Sequence, residues 1–219
     1  MFKYFFFKFE NLSKYHIPGL KRLEREVFPG MNMNTFFESE LLDPKYLYVV
    51  CSVSELTQSD DVFEKNNQRN IFTFLYRWSY RFINFWKGKL FSKAQIIGYI
   101  GLQFVFDEAH IISIAVGKEW RRLNIGEMLL AKGIICSETR QCNTISLEVR
   151  ISNTIAQNLY KKYGFENIRV RPRYYSDDQE DALVMSVKDI DNHFYINKVK
   201  ANYNILIQGK NKFSDYVSV

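Results

Sequence analysis

The strongest constraint on the fold lies between Ile96 and Val187, where β-prone runs alternate with runs of helical spacing. Ile96–Phe106 and Ala109–Val116 read as strands joined by an Asp107-Glu108 turn. Arg122–Thr139 reads as a helix, Thr144–Arg150 as a strand, and Thr154–Tyr163 as a helix closed by Gly164. Phe165–Arg171 and Asp181–Val187 complete the series as strands. Upstream, Tyr4–Phe9 reads as a strand. Lys14–Val27 places Ile17, Leu20, Leu23 and Val27 on one helical face and ends at Phe28-Pro29-Gly30. A short helix around Asn34–Leu42 and a strand over Tyr46–Val53 follow. Strands and helices mixed in this way predict an α/β fold, a mixed sheet with helices on both faces.

Two segments break this rhythm. Glu55–Lys93 starts polar and becomes aromatic and basic, and it reads as an insertion with a helix near Ile71–Trp86. Phe72, Leu75, Trp78, Phe82, Ile83 and Trp86 would share an apolar face there, interleaved with Arg77, Arg81, Lys87 and Lys89. Such a helix either packs on the domain or docks on a partner, a ribosomal surface or an anionic membrane. Beyond Lys188 the chain is polar and weakly patterned. The expected organisation is one domain over residues 1–188, with an insertion at about 55–93, and a C-terminal tail over 189–219.

With 47% hydrophobic and 25% charged residues, wholesale disorder is excluded. Cys51, Cys136 and Cys142 are odd in number and lack CxxC spacing, while His16, His110 and His193 lie far apart. Neither a metal site nor a disulfide framework is expected, and all six read as ordinary packed or surface residues. The opening run carries charges and no small-residue cleavage site, and no stretch approaches the roughly 20 apolar residues of a membrane span. A cytoplasmic location is expected. The AT-rich codon bias implied by frequent Lys, Asn, Ile, Phe and Tyr leaves a plastid stroma as the alternative. The net charge of +6 is mild for 219 residues and fits a solvated basic surface. Nucleic acid, an anionic membrane and a polyphosphate ligand are the alternatives.

Two constellations carry chemistry. In the first, the strand ending at Val116 feeds a turn with Lys118, Arg121 and Arg122, and the turn feeds a helix N-terminus. Unpaired N–H groups, a positive dipole end and Gly126 suit a phosphate. A solvated basic turn is the plain alternative. In the second, Thr144, Ser146, Glu148 and Arg150 share one face of their strand, so that face is either solvated or lines a cleft. Asn153 caps the next helix, on which Ala156, Tyr160 and Tyr163 share a stripe. Tyr160 is either a core residue or the acid partner of Glu148.

At these residues the chain resembles the GCN5-related N-acetyltransferases, and within them the RimI type of protein N-terminal acetyltransferases. The resemblance rests on IleSerIleAlaVal, ArgArgLeuAsnIleGly, LeuGluValArgIleSerAsn, AsnLeuTyrLysLysTyrGlyPhe, ArgTyrTyr and GluAspAlaLeuValMet, in that order. It implies a central sheet splayed between Ala109–Val116 and Thr144–Arg150, with acetyl-CoA in the gap. Arg121, Arg122, Leu123, Asn124, Ile125 and Gly126 would hold the CoA pyrophosphate. Ile114, Ala115 and Val116 would offer backbone groups to the pantetheine arm, and Asn153 would also contact CoA. Asn124 stands where the family pattern has a glycine, and asparagine is the non-glycine residue that best tolerates a left-handed backbone. The resemblance makes Glu148 the general base and Tyr160 the general acid. Tyr174 and Tyr175 would hold the acceptor peptide, and Glu180 and Asp181 would either attract a cationic acceptor or form a solvated turn. No metal and no direct nucleic-acid contact are implied. The implied reaction is acetyl transfer to a protein N-terminal α-amine, with a ribosomal protein as the acceptor suggested by the RimI type. The alternatives are a lysine or small-amine acetyltransferase, or a non-catalytic module of the same fold.

Overall fold

The computed structural model describes residues 4–29, 37–56 and 95–211. The helix expected at Ile71–Trp86 lies outside them. Strand β1 (Tyr4–Asn11) leads to helices α1 (Ile17–Val27) and α2 (Phe37–Glu40), and then to β2 (Tyr46–Leu56). Next come β3 (Gln95–Val105), β4 (Glu108–Val116), a short 3-10 turn (Lys118–Trp120) and α3 (Ile125–Thr139). The chain continues through β5 (Thr144–Arg150), α4 (Thr154–Lys162), β6 (Glu166–Arg171), β7 (Ala182–Val187) and α5 (His193–Asn211). The strands form one sheet in the order β1-β2-β3-β4-β5-β7-β6. The β4–β5 pair is parallel and all the others are antiparallel. This is the expected mixed α/β sheet. β2 and β3, which flank the segment read as an insertion, are direct neighbours.

Each face of the sheet has its own core. On one, Leu20 and Leu23 of α1 and Phe37 of α2 pack against Tyr48, Val50 and Tyr99. On the other, Met128, Leu129 and Ile134 of α3 pack with Val49, Ile97, Leu102 and Leu147, and Tyr160 of α4 and Tyr163 just past its end join them. Helix α5 lies against α3 and contributes Ile196 and Val199. The weakly patterned tail is therefore a 19-residue helix over most of its length. Ile196, Val199, Tyr203 and Leu206 recur at three- and four-residue steps, a stripe diluted by the intervening Lys and Asn.

The helix expected from Arg122 begins at Ile125, because Arg122 (φ 65°) and Asn124 (φ 57°) are left-handed and cannot join a right-handed helix. Strand β5 alternates as read: Ile145, Leu147 and Val149 are buried, and the residues between them are half-buried.

The sheet opens at its centre. β4 pairs with β5 from Glu108↔Thr144 to Ile111↔Leu147 and no further, although β4 continues to Val116. The cause lies on the opposite edge of β4. Its register with β3 steps from Gly101↔Ser113 to Leu102↔Ile111, leaving Ile112 as an extra residue. A bulge bends its strand and increases the local twist, here at the residue where β4 leaves β5. The predicted splay is thus present, with Glu148 the first β5 residue beyond the last pair.

Gly101 makes room for this bend. A Cβ there would lie 2.5 Å from Cε1 of Tyr48 and 3.1 Å from Cγ1 of Ile112. Tyr48 cannot easily yield, since its hydroxyl donates to Glu40 and its ring meets that of Phe37 at 5.2 Å. Gly101→Ala should therefore destabilise the fold by about 1–3 kcal/mol, the usual range for overpacking, measured by urea denaturation.

Candidate active site

A polar row crosses five strands on the α1/α2 face of the sheet, where these two helices no longer cover it. Tyr46, Gln103, His110, Ser146 and Ser186 are successive register partners. Glu148 is one step further along β5 on the same face. Its Oε2 lies 2.9 Å from Nε2 of His110, and its Oε1 accepts from Nη1 of Arg171 at 2.8 Å. His110 is held in turn by Ser146, whose Oγ is 3.1 Å from Nδ1. The hydrogen bond with His110 is the main influence holding the Glu148 carboxyl below its usual range. Burial opposes it, and the charges of His110 and Arg171 reinforce it.

Tyr160 is buried at the end of α4, its ring 5.7 Å from that of Phe165. Burial pushes its hydroxyl pKa up, and Tyr175 adds to the shift. Among the described residues no hydrogen bond engages this hydroxyl. Tyr175 is itself pushed up to about 12, first by burial, with Arg150 opposing and with Tyr174, Glu148 and Glu180 adding. Tyr175 thus interacts with both Glu148 and Tyr160, and the rings of Tyr174 and Tyr175 meet edge to face at 5.2 Å. The predicted base thus lies within electrostatic reach of the predicted tyrosine pair, and Tyr175 of that pair within reach of the predicted acid.

The segment carrying the two tyrosines is anchored by Arg150. Its Nη1 donates to both oxygens of Asp178 at 2.8 Å and to Glu180 Oε2 at 2.9 Å, while Nη2 reaches Asp177 at 2.7 Å. The guanidinium also lies 3.9 Å from the Tyr175 ring centroid. Glu180 Oε1 accepts from the Ser152 N–H at 2.7 Å, and Asp181 accepts from the Arg173 N–H at 2.8 Å. Glu180 and Asp181 therefore each use an oxygen to hold the loop, and three carboxylates around the single charge of Arg150 leave this cluster net negative.

The other predicted residues lie on the α3 side of the opening. Ile114, Ala115 and Val116 pair with β3 on one edge and lie beyond the last β5 pair on the other. The carbonyl of Val116 accepts from Nε of Arg121 at 3.3 Å, which ties the basic turn back to its strand. Asn124 is left-handed, as its residue type allows, and its side chain does not cap α3. The first N–H groups of that helix have no intrahelical acceptor, which is the arrangement that suits an anion, and they lie next in sequence to Arg121, Arg122 and Leu123. At Gly126 a Cβ would meet only Cγ2 of Val116, at 3.6 Å, so no internal contact requires glycine. The space it leaves suits a ligand backed against Ile125 and Gly126. Asn153 caps α4, accepting from the Ala156 N–H at 3.2 Å. An anion site next to an exposed strand edge fits an extended molecule with a diphosphate, as CoA is.

Three residues at this site do not stand out in the sequence. His110 reads there as ordinary, Arg150 as one of a polar row, and Arg171 as the end of a strand. The alternation of β4 gives the face of His110, but its pairing with β5 has no local signal. Arg171 lies on β6, which sits beyond β7 and so two strands away from β5.

The acetyltransferase (GNAT) family matches residues 42–165. A Haemophilus influenzae protein named ribosomal protein bS18-alanine N-acetyltransferase is 32% identical over 157 residues, 70% of this chain and 98% of its own length. A Bacillus subtilis protein, provisionally named as the same activity, is 41% identical over 94 residues, 43% of this chain and 62% of its own. The chain spans about three fifths of the length of that relative and of the Methanocaldococcus jannaschii and Sulfurisphaera tokodaii relatives at 40% and 37% identity. Among solved structures, the ribosomal-protein-S18-alanine N-acetyltransferase from Escherichia coli superimposes with a TM-score of 0.59 at 23% identity, covering 84% of this chain and 94% of that one. This last likeness is one of fold.

The Arg150 cluster has a defined pH signature. Hydrogen bonds, from Arg150 to Asp178 and chiefly from Ser152 to Glu180, hold both carboxyls below their usual values. A depressed folded pKa gives a contribution that is present above the ordinary carboxylate range and lost as pH falls through the lowered values. Amide-exchange protection over residues 172–181 should accordingly persist through neutral pH and fall only in acid. Arg150→Ala should lose that protection at neutral pH too.

Proposed function

Because the chain belongs to the GNAT acetyltransferase family, we propose that it transfers acetyl from acetyl-CoA to the N-terminal α-amine of a protein, with a ribosomal protein as the favoured acceptor. The names of its relatives support the acceptor class. The observation that carries the chemistry is the position of Glu148, at the vertex where β4 and β5 part and within electrostatic reach of Tyr174 and Tyr175, the latter of which also acts on Tyr160.

Arg121, Arg122, Leu123, Asn124, Ile125 and Gly126 would hold the diphosphate, Ile114–Val116 would face the pantetheine arm, and Asn153 would lie at the cofactor's side. Bound there, acetyl-CoA supplies the thioester whose acyl group is transferred. An amine is protonated at neutral pH and attacks only as the free base. Glu148 takes the ammonium proton, directly or through water, and the amine lone pair forms the new C–N bond as the C–S bond breaks. Tyr160 donates its hydroxyl proton to the departing sulfur and regains one from the second proton that the nitrogen sheds as the amide forms, directly or through water, while the proton held by Glu148 returns to solvent. Tyr174 and Tyr175 flank the acceptor.

The acidity of the acceptor itself favours an α-amine over lysine. A carboxylate held below its usual pKa is a weak base. An α-amine has a pKa near 8 and a lysine amine near 10.4, so deprotonating lysine costs about 3 kcal/mol more.

Release of CoA thiol should therefore be seen with peptides bearing a free N-terminus. It should be lost with the same peptides blocked at the N-terminus but carrying an internal lysine. Release only with the blocked peptides would overturn the α-amine reading. Glu148→Gln and Tyr160→Phe should each lower turnover by about 10²–10⁴-fold, the usual worth of a general acid or base. Unchanged rates in both would remove the mechanism.

Gly126→Ala separates stability from ligand binding. With only a 3.6 Å contact to meet, the substitution should leave stability unchanged or raise it by up to about 1 kcal/mol. It should weaken CoA affinity, read by calorimetry against the melting temperature of the same protein.

A further inference from the structure

The two oxygens of Glu148 are held in different ways. Oε2 faces His110, which is itself fixed through Ser146 within the sheet. Oε1 is bonded to Arg171, whose side chain is 44% exposed while that of Glu148 is 10% exposed. The guanidinium therefore stands between Oε1 and solvent, while His110, 32% exposed, stands beside Oε2. An acceptor ammonium approaching Oε1 from solvent meets Arg171, and meets it as a like charge.

Arg171 is also lightly held. Among the described residues its other partner is the face of Tyr174, with the guanidinium carbon 4.6 Å from the ring centroid. Arg150, in contrast, has three carboxylates and a ring, and its side chain is 21% exposed. One arginine of this site is built to stay and the other can leave. Arg171 comes from β6, the outermost strand at its end of the sheet, and reaches Glu148 across β7. A long side chain from an edge strand can swing outward without disturbing the core and still rest on Tyr174.

We propose that Arg171 is a displaceable cation standing on Glu148 Oε1 in the place of the acceptor ammonium, so that acceptor entry is an exchange of one cation for another. This rests on the reading of Glu148 as the base for an amine acceptor. Arg171 is a specificity-determining residue in this scheme. It keeps the carboxylate ionised and Oε1 occupied in the free protein, and only an amine that binds Glu148 and the tyrosine pair together displaces it. No bond is made or broken at Arg171.

The test uses the full chain, saturating acetyl-CoA and a peptide with a free N-terminal alanine. Arg171→Met should lower the KM for the peptide about fivefold, the worth of a partly exposed ion pair, with a smaller change in kcat. Arg171→Lys keeps the competing charge and should stay near the wild-type KM. A KM that is unchanged or raised in Arg171→Met, or equally lowered in Arg171→Lys, overturns the proposal. Should Arg171→Met fail to fold, the wild-type protein decides through the ¹⁵N resonances of the Arg171 guanidinium. They should shift when alaninamide is titrated in with CoA bound, and resonances that stay fixed at saturation overturn the exchange. Failure of the underlying acetyltransferase reading looks different: the wild type then releases no thiol with any amine peptide, whereas failure of the exchange alone leaves wild-type turnover intact.

Discussion

The site depends on two strands that stop pairing. A parallel pair normally satisfies its inner backbone groups along its whole length, so abandoning the ladder after Ile111↔Leu147 leaves polar groups on β4 facing a gap. Ile112, the extra residue against β3, lets β4 turn away, and Gly101 opposite it removes the side chain that would resist. A sheet paired to the end would have had no opening beside Glu148 and no strand edge for a ligand. The cleft follows from one added residue, with the rest of the sheet kept in register around it.

Charge then divides the labour within that opening. Arg150 gathers Asp177, Asp178 and Glu180, and it gives the loop bearing Tyr174 and Tyr175 a fixed position against β5. Glu148, two residues earlier on the same face, receives His110 and Arg171. The same strand thus carries a cation that pins a loop and an anion that can meet an amine. Their spacing is set by the two-residue period of a strand, which aims both side chains the same way.

Much of this is legible in the sequence where the signal is local. The alternation of Thr144–Arg150 marks the polar face, and Asn153 marks the start of α4. Asn124 points to a left-handed turn, and its φ is 57°. What stays hidden comes from pairing across the sheet. His110 is 38 positions from Glu148 in the chain and becomes its neighbour only because β4 and β5 are parallel partners in one particular register. Arg171 is hidden further, since β7 is inserted between β5 and β6 out of chain order. Helix α5 escapes for another reason. Its packing stripe is narrow and the residues between are Lys, Asn and Gln, so its composition is that of a solvated tail.

Asn124, where the resemblance leads to the expectation of a glycine, keeps the left-handed backbone that a glycine would allow. A glycine at that position would serve by its freedom to adopt positive φ, and asparagine reaches the same region at modest cost. The side chain it adds would be expected to cap α3, and capping would consume the N–H groups that an anion needs. Capping requires an extended backbone at the cap residue, whereas Asn124 is left-handed and makes no such bond. The conformation that admits asparagine is therefore the one that stops its side chain from closing the site. The helix N-terminus stays uncapped by that side chain, next to the basic turn with Lys118, Arg121 and Arg122, a combination that suits an anion.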